Sequence, residues 1–432
     1  MFKKIIKYAI PLIICLVVIL TVIPGCTKEA AKPAPAPVPA PAPAPPAKTE
    51  VVIGMARPLS GPLAIIGDSG FKPIYETWLK EVNAAGGLYI KEAGKKLPVR
   101  FLIYDDKSDV GTMTRLTEKL ILEDKVDFLW PACGTSFLFG QAPIANKYNY
   151  LLLTAEGGAT TIKDSLYSLP YTFVSLSFSD WYQLPVWADL LASKGAKTAY
   201  VTYIADLHGI EYSGVAGAEF ARVGIKIVGN VSLPPDLKDF APVITEAKAS
   251  GADVFCCFAY PDQVMPVTGT AMALGYNPKA IIMGPGGNFG FYHTTFGPAV
   301  EGVCAFASYA RKSSPALSAL ADKLYAGKPE ETNDWWGHPL YWGAWEFWKQ
   351  AVEKAGLNQK AVRDVFAKEH FNTVLGDTYF TVFGNGGGLM AKESHTGEIG
   401  QWQKGIFEVI GPTGKATAPF VYPKPPWPAP AK

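Results

Sequence analysis

The side chains best suited to chemistry in this 432-residue chain are five histidines (His208, His293, His338, His370 and His395) and six cysteines. The histidines lack the i, i+3 or i, i+4 spacing by which a helix offers two ligands to one ion, and there is no C-x-x-C, so no metal site is expected. Gly67-Asp68-Ser69-Gly70 imitates the nucleophile loop of trypsin-like proteases. That order needs His and Asp upstream, and the first histidine is His208. Ser69 and Lys72 also form an S-x-x-K, yet no S-D-N follows and Lys197-Thr198-Ala199 is a poor K-T-G. Asp68 or Ser69 reads better as a helix cap. The glycine-rich stretch from Gly284 to Gly290 does not fit G-x-G-x-x-G, so no dinucleotide cofactor is expected. What remains is Cys133-Gly134-Thr135-Ser136, a hydroxyl-bearing loop that opens a helix. Side-chain OH and free backbone N–H groups in that geometry hold a carboxylate, although Thr135 or Ser136 would serve equally as a plain cap.

The elements around this loop alternate. Val51 to Ala56, Val99 to Tyr104, Val126 to Trp130 and Leu151 to Thr154 are short apolar strands. Between them Phe71, Ile74, Tyr75, Trp78, Leu79 and Val82 recur at helical spacing, as do Met113, Leu116, Leu120 and Ile121. The rhythm restarts with Tyr171 to Ser175, Lys197 to Tyr203, Ile225 to Val231, Val254 to Ala259 and Ala280 to Met283. Strand and helix in turn make a parallel sheet, and two such runs make two lobes of an α/β fold. Asp334 to Gly356 and Val362 to Lys368 read as helices, Gly376 to Phe383 and Gly405 to Ile410 as strands. Ligands of open α/β sheets lie beyond the carboxyl ends of the strands, so the two lobes define a cleft.

Composition agrees with a folded body: 49% hydrophobic, 12% aromatic and 18% charged, too long for one ordinary core. The net charge of +2 is outweighed by Lys3, Lys4 and Lys7 in the leader, so the body is close to neutral and carries no footprint for nucleic acid. Those lysines precede an apolar run from Tyr8 to Val22, closed by Ile23-Pro24-Gly25-Cys26. This is a secretory layout, and Gly25 before Cys26 resembles the lipobox of bacterial lipoproteins. It implies a signal peptide over residues 1–25 and acylation of Cys26; an uncleaved membrane helix is the alternative. Residues 26–48 then form an anchor and tether, whose Pro and Ala alternation from Pro33 to Pro46 is an extended spacer of roughly 40 Å.

Pro58-Leu59-Ser60-Gly61-Pro62, Asn83-Ala84-Ala85-Gly86-Gly87, Tyr104-Asp105-Asp106, Pro143-Ile144-Ala145 and Gly405 to Pro412 occur in an order that resembles the type I periplasmic binding proteins. The similarity runs from about Thr49 to Lys415 and is nearest to the leucine/isoleucine/valine-binding proteins of ABC transporters. It implies two doubly wound parallel-sheet lobes joined by three crossings, near Val174, Ala307 and Gly388. The lobes would be 49–174 plus 307–388 and 175–306 plus 389–418, with a Pro-rich tail over 419–432. It also implies a monomer that performs no chemistry, works outside the cytoplasm on a membrane anchor, closes on a small molecule and delivers it to an ABC permease. The same fold serves sensors that report occupancy to a signalling partner.

Carried over by position, the resemblance puts the carboxylate-binding hydroxyl on Thr135, with Gly134 and Ser136 as neighbours within the ambiguity. Glu156, Gly157 and Gly158 form the next loop, His208 replaces a stacking ring, Tyr260 keeps a tyrosine, Trp336 matches an apolar wall and Ile66 replaces an aromatic. The acid that pairs with an α-ammonium should follow Met283, where Gly284-Pro285-Gly286-Gly287 contains none. A buried unpaired ammonium costs several kcal/mol, whereas a helix N-terminus returns about 0.3 to 2 kcal/mol to the carboxylate. Two ligands are therefore expected: a small, non-amino, aromatic or other organic acid, or an amine bound through Glu156, with the balance toward the first. The family's disulfide has Ser108 in place of its first cysteine, which leaves Cys133 unpaired. Cys256, Cys257 and Cys304 read as buried thiols, with a strained Cys256–Cys257 bridge as the alternative. Trp335, Trp336, Trp342, Trp345 and Trp348 suit either a stacking platform or core packing.

Overall fold

The computed structural model describes residues 48–157, 161–175, 182–307, 309–327, 337–395 and 397–428. Cys26 with its leader, Gly158 and Trp336 lie outside the described residues. In the first lobe, Val51–Arg57 is flanked by Val99–Asp105 and Phe128–Trp130, all parallel. Leu152–Thr154, Thr172–Val174 and Gly388–Met390 run parallel beside them, and Phe380–Val382 joins antiparallel. The second lobe holds a seven-stranded sheet. Lys226–Leu233, Thr198–Ile204, Val254–Phe258, Ala280–Met283 and Cys304–Phe306 are parallel in that spatial order. Ile399–Gln403 and Ile406–Gly411 complete it antiparallel. Every residue of Val254–Phe258 is buried because helices cover both faces of a parallel sheet.

Helix Lys72–Ala84 buries Ile74, Tyr75, Trp78 and Val82, the apolar face that its sequence spacing predicts. It ends where Gly86 and Gly87 take φ values of 90° and 98°, a region other residues enter only with strain. Asp109 and Asp206 cap the helices Val110–Leu122 and Leu207–Arg222, accepting from the Thr112 and Gly209 N–H groups at 2.7 and 2.9 Å. Helix Gly337–Ala355 carries the tryptophans inward. Trp345 stacks on Trp130 with centroids 3.3 Å apart and on Trp78 at 4.3 Å. Trp342, Trp345 and Trp348 are thus core.

The chain passes between the sheets three times: between Val174 and Thr198, after Phe306, and between Met390 and Ile399. The side chain of Gln183 joins these passages, its Nε2 donating to the carbonyls of Ala307 and Glu398 at 2.5 Å each. At the ends of the body, Lys48 pairs with Asp127 in the first lobe at 2.5 Å. The described part of the Pro-rich tail, residues 419–428, lies on the second lobe, where Trp427 donates to the Tyr276 carbonyl at 2.6 Å and Lys424 to Asn277 Oδ1 at 2.6 Å. Cys133, Cys256, Cys257 and Cys304 are free buried thiols. Among the described residues no helix is long and apolar enough to cross a membrane.

Candidate functional site

Two loops at the carboxyl ends of first-lobe strands form one wall of the cleft. Gly134, at φ 107° and ψ 154°, turns the chain from Phe128–Trp130 into helix Thr135–Lys147. Its N–H donates to the Glu156 carbonyl at 2.9 Å. A Cβ at Gly157 would sit 2.5 Å from the Gly134 carbonyl oxygen, so only glycine lets the loops approach this closely. The opposite wall comes from the second lobe. His208 stacks on Tyr260 with centroids 4.8 Å apart and an interplanar angle of 19°, and Tyr212 packs tilted against the imidazole at 4.5 Å.

Between the walls lies a cavity of about 20 Å³, room for about one water. Thr135, Glu156, Gly157, Ile66, Cys133 and Leu63 line it from one side; His208, Tyr212, Tyr260 and Pro285 from the other. The backbone N–H of Thr135 reaches the Tyr260 hydroxyl across the gap, although burial still pushes that phenol far above its ordinary range. Ser136 turns instead into an adjoining 220 Å³ cavity shared with Asp206 and Asp262 of the second lobe. Gly286 lies beside the site rather than in its wall: its N–H donates to Asn288 Oδ1 at 3.1 Å and a Cβ there would meet Pro261 at 3.0 Å, while the preceding Pro285 lines the cavity.

The electrostatic centre is Glu156. Its Oε1 accepts from Arg57 Nη1 and, at 2.5 Å, from the Tyr341 hydroxyl, which in turn accepts from Trp130 Nε1 at 2.7 Å. The two ionic side chains are 1% and 0% exposed. Burial alone would lower the Arg57 pKa; the charge of Glu156 overrides it and keeps the guanidinium protonated. Burial raises the Glu156 pKa against the pull of Arg57 and Tyr341. Nearby, burial raises Asp106 to about 6, against a hydrogen bond from the Ser108 N–H. Burial also lowers the His208 pKa, so the ring is neutral near pH 7. Two side-chain atoms of the residues lining this cavity have no hydrogen-bond partner among the described residues: Glu156 Oε2 and His208 Nε2.

Sequence reasoning placed Thr135, Glu156, Gly157, His208, Tyr260 and Ile66, and the structure brings these together. It missed Arg57, Tyr212, Tyr341 and the acids Asp206 and Asp262. Arg57 was visible as the charge ending an apolar strand at the edge where ligands of such sheets lie. Among the described residues no group of three or more His, Cys, Asp or Glu side chains is placed to hold a metal ion. The arrangement offers a helix N-terminus, an aromatic wall and a neutralised buried carboxylate, which suit capture of a small molecule.

A family model described as periplasmic binding protein matches residues 50–404. The Leu/Ile/Val-binding protein homolog 7 of Brucella melitensis is 27% identical over 262 residues, 58% of this chain and 62% of that protein, so the match spans under two thirds of its length. The fold is similar to a leucine-binding protein of Thermotoga maritima, at a TM-score of 0.69 and 16% identity over 84% of this chain and 98% of that one. It is equally similar to a solute-binding protein of an ABC transporter from Rhodopseudomonas palustris in complex with 3,4-dihydroxybenzoic acid, at a TM-score of 0.69 and 16% identity over 85% and 94%. With a family model covering most of its length and two parallel-sheet lobes facing a cleft, the chain belongs to the periplasmic binding protein family, type I, of the leucine/isoleucine/valine-binding kind.

Proposed function

We propose that this protein is the extracytoplasmic solute-binding component of an ABC importer of the branched-chain-amino-acid type, held at a membrane through acylated Cys26 and the tether to Lys48. Its ligand is a small carboxylate, and a non-amino, aromatic acid in preference to an α-amino acid. The observation that carries the reading is the commitment of Glu156 to Arg57. An amino acid brings both a carboxylate and an ammonium into the cleft. With the Glu156 charge already taken up, an added ammonium would place a second buried cation against one carboxylate, at a cost of several kcal/mol. A carboxylate alone needs only the Thr135 N-terminus and an apolar, aromatic bed, both of which line the cavity. Leucine and 3,4-dihydroxybenzoic acid, named with the two structural neighbours, share just that carboxylate.

The lobes act as jaws. A cavity of about 20 Å³ cannot admit a benzoate-sized molecule, so entry requires the lobes to part at the three crossings and capture requires them to shut again. Only a ligand that touches both walls favours the shut form, because one that bound both forms equally would shift nothing. The carboxylate takes the Thr135 N–H in place of the Tyr260 hydroxyl, and a charged acceptor there is worth more than a neutral one.

Isothermal titration with benzoate, benzamide and leucine tests this. Benzoate is expected to bind and benzamide to bind at least tenfold more weakly. Tight leucine binding that survives Glu156→Gln would overturn the assignment, since neither an acid without ammonium nor an amine on Glu156 predicts it.

A further inference from the structure

Outside the cavity the two lobes touch at Thr161 and Glu211. Thr161 stands in the first lobe, in the connection between Leu152–Thr154 and Thr172–Val174. Its backbone N–H donates to Glu211 Oε1 at 2.5 Å and its hydroxyl to Glu211 Oε2 at 3.1 Å. Glu211 belongs to the second lobe, on helix Leu207–Arg222. Each carboxylate oxygen therefore accepts from the same residue of the opposite lobe, and hydrogen bonds to an ionised acceptor are stronger than neutral ones. Neither residue is among those that line the 20 Å³ cavity or its 220 Å³ neighbour.

Helix geometry explains the placement. Residues three and four apart share a face of a helix, so Glu211 stands beside His208 and Tyr212, which line the cavity from the second lobe. In the first lobe Thr161 follows the Glu156-Gly157 loop by four residues. The two chain segments that supply facing walls are thus tied together one step further along. Glu211 is half-buried and Thr161 exposed, so water replaces these contacts when the lobes part.

We propose that Thr161 and Glu211 form a latch that favours the shut form, so that Glu211 sets the affinity of the cleft for its ligand from outside the binding wall. This rests on the closure reading above and adds to it a residue pair that acts on the balance of open and shut forms alone. Where the shut form is the one that binds, the apparent dissociation constant is the intrinsic one divided by the fraction shut. A contact made only in the shut form raises that fraction and tightens every ligand by one common factor. A wall residue such as His208 touches the ligand and so tells one ligand from another. Affinity and selectivity are then set by different residues of one helix.

Two variants break the latch from opposite sides. Glu211→Gln removes the charge. Thr161→Pro removes both donors, and Thr161 has a φ of −63°, the angle a proline ring holds, so the backbone is kept. Should Thr161→Pro fail to fold, Thr161→Val, which loses the hydroxyl alone, takes its place. Small-angle scattering of the ligand-free full chain, and titration with benzoate and leucine, are run on the parent, on these variants and on Tyr260→Phe. The latch variants are expected to give a larger ligand-free particle than the parent. Each of the two ligands that the parent binds is expected to bind about three- to tenfold more weakly, and by the same factor. An unchanged ligand-free particle in either latch variant overturns the latch. Closure itself still stands if Tyr260→Phe or added ligand changes the particle, and falls with the latch if neither does. A loss that differs between benzoate and leucine places Glu211 in the binding wall and overturns its separate role.

Discussion

Exchanging Arg57 for methionine removes the cation that balances a carboxylate in the first-lobe core. Both side chains are almost wholly buried, at 1% and 0% exposure, so neither charge is screened by solvent. Removing one partner of such a pair costs about 3 to 5 kcal/mol, because the survivor is left charged in a poor solvent. At neutral pH Arg57→Met is therefore expected to lower the urea midpoint by about 1 M or more, taking a slope of about 3 kcal/mol/M for a protein of this size. The double variant Arg57→Met, Glu156→Gln removes both charges, fills the guanidinium volume with a flexible thioether and keeps an acceptor for the Tyr341 hydroxyl. It is expected to recover to within about 1 to 2 kcal/mol of the parent, which makes the two substitutions coupled rather than additive. The pH dependence gives a second reading. With Arg57 gone, the Glu156 pKa rises further above its unfolded value, so the loss is present at high pH. It shrinks as pH falls through the raised folded value toward the unfolded one, where the carboxyl is neutral in both states. Urea unfolding of the three variants between pH 5 and 8 reads both effects. Additive losses, or a deficit for Arg57→Met that does not shrink toward pH 5, would refute the argument that charge burial rather than packing dominates here.

Three further perturbations follow from the geometry. Asp106 titrates near 6 in the folded protein; its unfolded value lies near 3.9. The folded state therefore binds the proton more tightly, and stability should decline by about 1 to 2 kcal/mol as pH rises from 4 to 6.5; Asp106→Asn should flatten that decline in denaturation curves. Tyr260→Phe removes the oxygen that meets the Thr135 N–H across the cleft. A neutral hydrogen bond of about 0.5 to 1.5 kcal/mol then no longer favours the ligand-free shut form or competes with a carboxylate. Small-angle scattering should show a larger ligand-free particle, and titration should show benzoate bound about two- to tenfold more tightly. Trp345→Ala opens a hole between Trp130 and Trp78, which should cost about 3 to 5 kcal/mol in urea unfolding.

The buried strands were the most legible part of the chain. Val254–Phe258 and Ala280–Met283 announce themselves as short apolar runs because a parallel sheet covered on both faces tolerates little else. Ile399–Gln403 escaped notice for the opposite reason. Its buried Gln401 is held by hydrogen bonds to the Gly302 and Val421 carbonyls, a solution that leaves no hydrophobic alternation to read. Helix Gly290–Phe296 is too short to display a repeat, and the hairpin of Leu88–Ile90 with Lys95–Leu97 offers only three residues a side. In the site, hydroxyls and glycines next to strand ends could be found locally. The partner of Glu156 could not, since Arg57 lies 99 positions away and only the folded lobe brings the two strand ends together.

Lys48 is fastened to the first lobe and Trp427 to the second. Dyes attached near these two points would therefore ride on different halves of the molecule. Resonance energy transfer between them would test the proposed opening and shutting, which predicts a change in separation on adding ligand, with no probe inside the cleft and no substitution in its walls.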